Sequence, residues 1–132
     1  MASFKARLNR RAKQVQENSN EVIKQVAATI AQTVIFATPV DTGHARANWL
    51  AGIGTEPTAE DPSEDKGGGA TFGKVKAELA KRKSEQTIYI SNNVPYINRL
   101  NDGYSAQAPA MFVEQGINTA LAAFKNAKLL ED

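Results

Sequence analysis

The triplet Asp41-Thr42-Gly43, preceded by the apolar Val40, is the part of the sequence whose residue types most directly suggest catalysis. In aspartic proteases two such carboxylates share one proton and activate a water molecule. Those enzymes carry the triplet at a strand end in an all-β fold, whereas a long helical pattern precedes it here, and no second matching segment follows. We therefore keep an aspartic hydrolase at Asp41 as a remote alternative. The simpler prediction is that Asp41 or Thr42 caps a short helix over residues 44–49.

A second candidate is the glycine-rich stretch of residues 68–74, GGATFGK, which matches the start of a phosphate-binding loop, GxxxxGK. The match fails at the next position, where Val75 replaces the Ser or Thr that would hold Mg²⁺. The segment before it is acidic and interrupted by proline, so it does not supply the required strand. We predict no nucleotide site.

The remaining chemistry-bearing residues are few. The chain has no Cys, so thiolate metal sites and disulfides are excluded, and it has a single His, His44. These observations favour a protein that is not an enzyme and that uses no cofactor or metal.

Basic side chains suggest nucleic-acid binding as an alternative function. They cluster in the first helix, at Lys5, Arg7, Arg10, Arg11 and Lys13, and again in residues 74–83. The net charge of only +2 and the absence of aromatic residues interleaved with those charges weaken this reading. For the first cluster, a solvated face on a helix that packs against a neighbouring subunit is the favoured explanation over contact with DNA or another acidic partner.

These residues must be positioned by helices at both ends of the chain. Apolar residues recur at spacings of three, four and seven over residues 3–37, which predicts one long amphipathic helix ending before Thr38-Pro39. Because Asn and Ser compete for backbone hydrogen bonds, we expect either a break at residues 17–20 or a protruding first half. Val113, Ile117, Leu121 and Phe124 predict a last helix opened by Pro109. Gly116 costs that helix about 1 kcal/mol relative to Ala, which is tolerable if another backbone approaches closely there.

Between the helices the pattern predicts a small antiparallel sheet. Trp49–Ile53 and residues 87–90 are the strands, with Trp49 in the core. Residues 55–73 are rich in Pro, Gly and acids and predict a mobile loop, in which one or two further strands could be hidden. A helix over residues 74–83 follows the loop.

The stretch before the last helix combines a turn, a short helix with Pro95 at its start, and a glycine cap at Gly103. We assign Tyr96, Leu100 and Phe112 to the core rather than to an interface. Tyr104 and Gln107 lie on a polar loop, and for them a core position and an interface position are about equally favoured.

Arg46 and Asp41 either pair locally or reach a neighbouring subunit. The predicted fold class is α+β: one domain over residues 1–132, with a long N-terminal helix and a C-terminal helix packed on a small antiparallel sheet. No secretory or membrane-spanning segment is evident, so we expect a soluble protein made in the cytoplasm.

Two stretches together carry a resemblance to a known family. Residues 38–49, TPVDTGHARANW, and residues 89–113, YISNNVPYINRLNDGYSAQAPAMFV, resemble the small neck or tail-completion proteins of long-tailed bacteriophages. With the flanking helices they cover most of the chain, and a variable insertion separates them. Where that family carries Gly after the Ala-Pro pair, this sequence has Ala110-Met111, a departure that removes no expected role.

The resemblance implies a structural virion protein without catalysis. Such proteins form a homo-oligomeric ring, for which a hexamer is one candidate, at the head-proximal end of the tail or in the neck. The implied partners are the tail tube or tail terminator and the head connector, with genome DNA passing through the ring. The implied location is the virion, with the host cytoplasm during assembly. We further expect residues 55–73 and the first helical turns to become ordered only on assembly.

Overall fold

The computed structural model describes the backbone of residues 4–103 and 110–125 and the side chains of residues 19–103 and 110–123. Helix α1, Phe4–Ala37, runs without interruption through the Asn- and Ser-containing segment. The predicted break at residues 17–20 is therefore wrong. The side chain of Asn20 makes no competing local bond there, because it donates to the carbonyl of Arg82 and accepts from the guanidinium of Arg82. The alternative of a protruding first half stays a prediction.

Helix α1 ends directly before Thr38-Pro39, as predicted, and a tight turn leads into the short helix α2, His44–Ala47. Strand β1, Trp49–Ile53, follows with the predicted bounds. The short helix ends earlier than expected because Asn48 leaves the helical conformation and turns the chain into the strand.

The next helix, α3, covers Gly69–Leu79, whereas the sequence predicted a helix over residues 74–83. The last residues of the predicted loop are therefore helical. The first turn of α3 is stabilised by a carboxylate from the preceding segment, described below, and this compensates for the low helix propensity of its glycines. Residues 54–68, which we call the 54–68 segment, contain no helix or strand.

Strand β2, Ile88–Asn92, pairs antiparallel with β1, and Trp49 lies opposite Asn92 at one end while Ile53 lies opposite Ile88 at the other. The sheet has these two strands within the part of the chain that is described. Helix α4, Ile97–Asn101, and helix α5, Phe112–Lys125, complete the fold. Gly103 adopts the left-handed conformation after α4, with φ of 96°, as its predicted capping role requires.

The core lies between α1, α3 and the sheet. Helix α3 covers β1 and contacts α1, while α5 packs along α1. The fully buried apolar side chains of this cluster are Ala27, Ala31, Val34, Ile35, Trp49, Val75 and Leu79. The predicted α+β class is thereby confirmed, and α3, whose place in the architecture the sequence did not predict, closes the core over strand β1.

Candidate functional site

The two stretches that carry the family resemblance meet at one end of the sheet. Trp49 and Asn92 are paired strand residues, and the side-chain amide of Asn92 donates to the carbonyl of Ala45 over 2.9 Å. The turn between α1 and β1 is thus held against the end of β2. We call this turn, residues 38–48, the His44 turn, and it is the candidate functional site.

Thr38 and Trp49 anchor the His44 turn to the core. The hydroxyl of Thr38 donates to the carbonyl of Val34 over 2.6 Å and accepts from Nε1 of Trp49 over 2.7 Å. Thr38 and Trp49 are both buried, which confirms the predicted core position of Trp49. Their role is structural, since each satisfies a polar group of the other away from water.

Asp41 and Thr42 are exposed in this turn, whereas Gly43 is buried against the 54–68 segment. The hydroxyl of Thr42 accepts from the backbone N–H of His44, the first helical residue, over 3.2 Å. The N-cap of α2 is however Gly43, which makes no side-chain cap bond, so the predicted N-cap at Asp41 or Thr42 is wrong. Gly43 has a φ of 89°, and a Cβ there would lie 2.6 Å from the backbone nitrogen of Lys66. Asp41 is exposed on this turn between two helices rather than at a strand end, so the geometry offers the aspartic hydrolase alternative no support.

Arg46 closes the C-terminal end of α1. Its guanidinium donates to the carbonyls of Phe36, Thr38 and Lys66 over 3.1, 3.0 and 2.7 Å. A cation at a helix C-terminus compensates carbonyls that have no partner within the helix and favours the helix dipole. No ion pair joins Arg46 to Asp41 among the described residues, so the structure does not support the alternative of a local pair, and contact with a neighbouring subunit stays a prediction. The sequence could not predict these backbone acceptors of Arg46, because every residue type carries a backbone carbonyl.

The 54–68 segment lies directly on the His44 turn. Asn48 is fully buried, and its amide donates to the carbonyl of Asp61 over 2.9 Å while its oxygen accepts from the N–H of Asp61 over 2.6 Å. Asn93 donates to the carbonyls of Pro57 and Ala59 over 3.0 and 3.1 Å. The side-chain amides of Asn48 and Asn93 thus bond to the backbone of the 54–68 segment, in the way that backbone groups of a neighbouring strand would.

Further contacts continue along the segment. The carbonyl of Gly43 accepts from the N–H of Asp65 over 2.9 Å. The two ring nitrogens of His44 lie 3.0 Å from the carbonyl oxygen of Ser63 and 3.3 Å from Oε2 of Glu60. This density of contacts argues for order in the single chain, against the expectation that residues 55–73 become ordered only on assembly. That expectation itself stays a prediction.

The N-terminus of α3 explains why the phosphate-loop pattern has no anion site to offer. The carboxylate of Asp65 accepts from the N–H of Gly68 over 3.0 Å and from the N–H and hydroxyl of Thr71 over 2.8 and 2.7 Å. These hydrogen bonds, with that of the Thr71 hydroxyl first, lower the pKa of Asp65. The chain's own carboxylate occupies the position where a phosphate would bind a helix N-terminus.

An aromatic and cationic cluster lies beside the His44 turn. Phe36 and Phe72 meet edge to face with ring centroids 6.4 Å apart, and Phe36 is 44% exposed. The guanidinium of Arg46 lies 5.9 Å from the Phe36 centroid, and Nζ of Lys76 lies 5.3 Å from that of Phe72. The sequence showed no aromatic residues among the basic ones, because Phe36 comes to Phe72 from a different helix.

The remaining predicted site residues have mixed outcomes. Phe112 is buried at 3% exposure and Leu100 is half-buried, in line with core positions. Tyr96 is 41% exposed, so its predicted core assignment is wrong: it precedes α4, whose described residues include no fully buried side chain. Desolvation first, and then the carboxylates of Glu60 and Asp41, raise the pKa of Tyr96. Tyr104, Gln107 and the side chains of Arg10 and Arg11 lie outside the described residues.

Sequence reasoning missed the residues that fasten the 54–68 segment. Asn48, Asp65 and Asn93 are short polar side chains flanking a strand or a helix, which is the one signal available, because such residues favour caps and local backbone bonds. That signal identifies a capping residue but not a partner distant in sequence.

Comparisons of this chain with protein-family models, with curated proteins and with solved structures give no match. Within the described residues, no helix is long and apolar enough to cross a membrane, and no cluster of three or more His, Cys, Asp or Glu side chains is arranged to hold a metal ion.

Proposed function

We propose that this protein is a structural component of the neck or tail-completion assembly of a long-tailed bacteriophage, acting as a homo-oligomeric ring that allows a finished tail to join a filled head. The observation that carries the proposal is the meeting of its two family-like stretches in one hydrogen-bonded unit. Residues 38–49 and 89–113 are far apart in sequence, yet Trp49 pairs with Asn92 and Ala45 accepts from Asn92.

The chemistry of that unit supports a structural role. Three polar side chains of the His44 turn are committed to backbone groups: Arg46 to three carbonyls, Asn48 to the carbonyl and N–H of Asp61, and Thr38 to the carbonyl of Val34 in α1. A nucleophile, general base or metal ligand needs a free lone pair or proton directed at a substrate. Side chains that instead fix backbone segments give a rigid body on which contact surfaces keep their shape.

Exposed apolar side chains supply candidate contact points for subunits and neighbours. Among the described residues these are Ile23, Phe36, Tyr96, Met111 and Leu121. Heterologous contacts that close a ring by rotation need two different surfaces on each subunit. A ring of this kind, with a hexamer as one candidate, would face the tail tube or tail terminator on one side and the head connector on the other.

The direct test is deletion of the gene from the phage or prophage that carries it, followed by electron microscopy of the lysate. We expect filled heads and finished tails that remain unjoined, and recovery of joined particles when the wild-type protein is supplied from a plasmid. Joined, infectious particles at normal yield in the deletion would contradict the proposal.

Point variants sharpen this experiment. In Tyr96→Ser an exposed aromatic side chain is removed at little cost to the fold, and we expect fewer joined particles if this face contacts a neighbour. Lys81→Ala is the matched control, since Lys81 is exposed in the turn after α3 and its described ion pair is with Glu78 in the last turn of that helix. Equal yields for the two variants would remove Tyr96 from the contact surface and leave the deletion result to decide the function.

A second candidate, nucleic-acid binding, gains one observation from the structure. The exposed Phe36 and Lys76 lie around the half-buried Phe72, and bases stack on aromatic side chains while a cation such as Lys76 holds a phosphate. Arg46 also lies beside Phe36, but its guanidinium is bonded to three backbone carbonyls. Binding of fluorescent single-stranded DNA at rising salt tests it, with Lys76→Ala against the control Lys81→Ala. This candidate requires salt-dependent affinity that falls in Lys76→Ala only; equal affinities would exclude this cluster as the binding site.

A further inference from the structure

His44 faces the 54–68 segment with both of its ring nitrogens. Nδ1 lies 3.0 Å from the carbonyl oxygen of Ser63, and Nε2 lies 3.3 Å from the carboxylate oxygen Oε2 of Glu60. A carbonyl and an ionised carboxylate only accept hydrogen bonds. A neutral imidazole has one N–H and an imidazolium has two, so only the doubly protonated ring donates to both partners.

The neighbouring amide of Asn48 does not relieve this requirement. Its nitrogen comes within 3.4 Å of Nδ1 of His44, but its two hydrogens are directed to the carbonyls of His44 and Asp61, over 2.8 and 2.9 Å. It therefore has no hydrogen left for a lone pair on Nδ1. If His44 loses its Nδ1 proton, the nitrogen lone pair faces the carbonyl of Ser63, and if it loses the other, the lone pair faces Glu60.

The charged groups around the ring favour its protonated form. The hydrogen bond to Ser63 raises the pKa of His44 most, burial lowers it, and the carboxylates of Glu60 and Glu64 raise it, so that the net direction is upward. On the same segment Asp61 also feels the charge of His44, and its pKa is lowered chiefly by its bonds with Ser63.

Charges on the other packed elements act less directly. Lys74 of α3 favours the ionised form of Asp61 and so lowers its pKa. The carboxylates of Glu60 and Asp41 both raise the pKa of Tyr96. The guanidinium of Arg46, on the same short helix as His44, donates to the carbonyls of Phe36 and Thr38 and to that of Lys66 in the 54–68 segment.

We infer that His44 is a pH-dependent latch, which fastens residues 60–63 of the 54–68 segment to α2 when its ring is doubly protonated and loosens them when the ring loses a proton. The attachments on either side do not titrate near neutral pH. Asn93 holds Pro57 and Ala59, and Gly43 holds Asp65. The amide of Asn48, which does not titrate either, keeps its two bonds to Asp61, so loss of the ring proton weakens the attachment of residues 60–63 without releasing it. The opening is therefore local, and it changes the surface around Glu60 and Tyr96 rather than the fold. This inference does not depend on the proposed function.

Hydrogen exchange of the full chain, followed by NMR and corrected for the intrinsic pH dependence of exchange, tests the latch between about pH 5.5 and 8.5, on either side of the histidine range. The reporters are the N–H groups of Asp61 and Ser63, bonded to Asn48 and to the Asp61 side chain. We expect their opening to increase several-fold at the higher pH, while the N–H of Asp65, bonded to Gly43, stays unchanged. Equal behaviour of all three would overturn the inference.

His44→Gln provides the matched variant, since the side-chain amide of the glutamine still donates hydrogen bonds but does not titrate. We expect exchange at Asp61 and Ser63 that no longer changes with pH in this range, and an unchanged pH response would overturn the latch. Because the variant could fail to fold, nitrogen NMR of the wild-type imidazole is the second measurement. Two protonated ring nitrogens, with a midpoint above that of a histidine in an unfolded chain, would support the inference, and a midpoint at or below it would overturn it.

Discussion

The hydroxyl of Thr38 lies 2.6 Å from the carbonyl oxygen of Val34 and 2.7 Å from Nε1 of Trp49, so that it donates to one and accepts from the other. Thr38 and Trp49 are 1% and 6% exposed, and water does not replace either bond. One hydroxyl thus ends the long helix and fixes the indole at the start of β1. This link couples the position of α1 to that of the sheet.

Replacing Thr38 with Val keeps the shape and removes this link. The indole N–H of Trp49 then has no acceptor, and we expect the free energy of unfolding to fall by about 1–3 kcal/mol, the usual cost of a buried polar group without its partner. Urea unfolding followed by Trp49 fluorescence measures it. Thr29→Val is the control, because the Thr29 hydroxyl bonds only to Gln25 in an exposed turn of α1, and its effect should stay within about 0.5 kcal/mol. Equal losses for the two variants would contradict the assigned role.

Gly116 and Gly73 give a second matched pair. A Cβ at Gly116 would lie 3.2 Å from Cγ2 of Thr33 and 3.4 Å from Cγ1 of Val34, whereas a Cβ at Gly73 meets nothing within 4 Å. Ala is favoured over Gly inside a helix by about 1 kcal/mol. We expect Gly73→Ala to raise the free energy of unfolding by most of that amount. In Gly116→Ala, crowding against α1 should cancel this gain. Chemical denaturation measures both free energies. A gain of the same size at Gly116 would show that α5 does not pack closely there.

The sequence was sufficient for features that depend on local pattern. The end of α1 at Thr38-Pro39, the strand that begins at Trp49 and the close approach at Gly116 all follow from proline geometry, alternation or a glycine inside a helical pattern. The pairing of β1 with β2 also followed, since the chain offered only two clear strands. These features need no knowledge of distant contacts.

Features that depend on a distant partner were not predictable. Asn20 was expected to weaken α1 but is bonded to Arg82, and residues 69–73 were assigned to a loop although Asp65 caps them as a helix. Tyr96 is apolar enough for a core position, yet α4 leaves it exposed. For Asn20 and Asp65 a tertiary contact outweighs the local propensity, and for Tyr96 the short helix α4 lacks the contacts that would bury the ring.

The packing of the 54–68 segment on β1 makes a third prediction. A Cβ at Gly52 would lie 2.3 Å from the carbonyl oxygen of Thr55 and 2.7 Å from Cδ of Pro57, so Gly52→Ala must displace the start of the segment. We expect a loss of about 1–3 kcal/mol in the free energy of unfolding, typical of overpacking, and faster proteolysis within the segment. Gly69→Ala is the control, because a Cβ there meets nothing within 4 Å. If Gly52→Ala were cleaved no faster than Gly69→Ala and the wild type, the contact of Gly52 with Thr55 and Pro57 would not be what holds the start of the segment.

The last prediction concerns Asp65 and acid stability. The Thr71 hydroxyl, and then the backbone N–H groups of Thr71 and Gly68, hold the pKa of Asp65 below its ordinary value of 3.8. A carboxylate with a lowered pKa contributes its full stability above the pKa it has in the unfolded chain, and that contribution is lost as the pH falls through the lower folded value. Asp65→Ala should therefore cost about 0.5–2 kcal/mol near neutral pH, the range for losing a helix cap, and progressively less in acid. Urea unfolding of the variant and the wild type across this acid range gives the difference directly, and the exposed Glu56→Gln serves as control. A difference between Asp65→Ala and wild type that stays constant down to the lowest pH would mean that the ionised carboxylate is not what holds the first turn of α3.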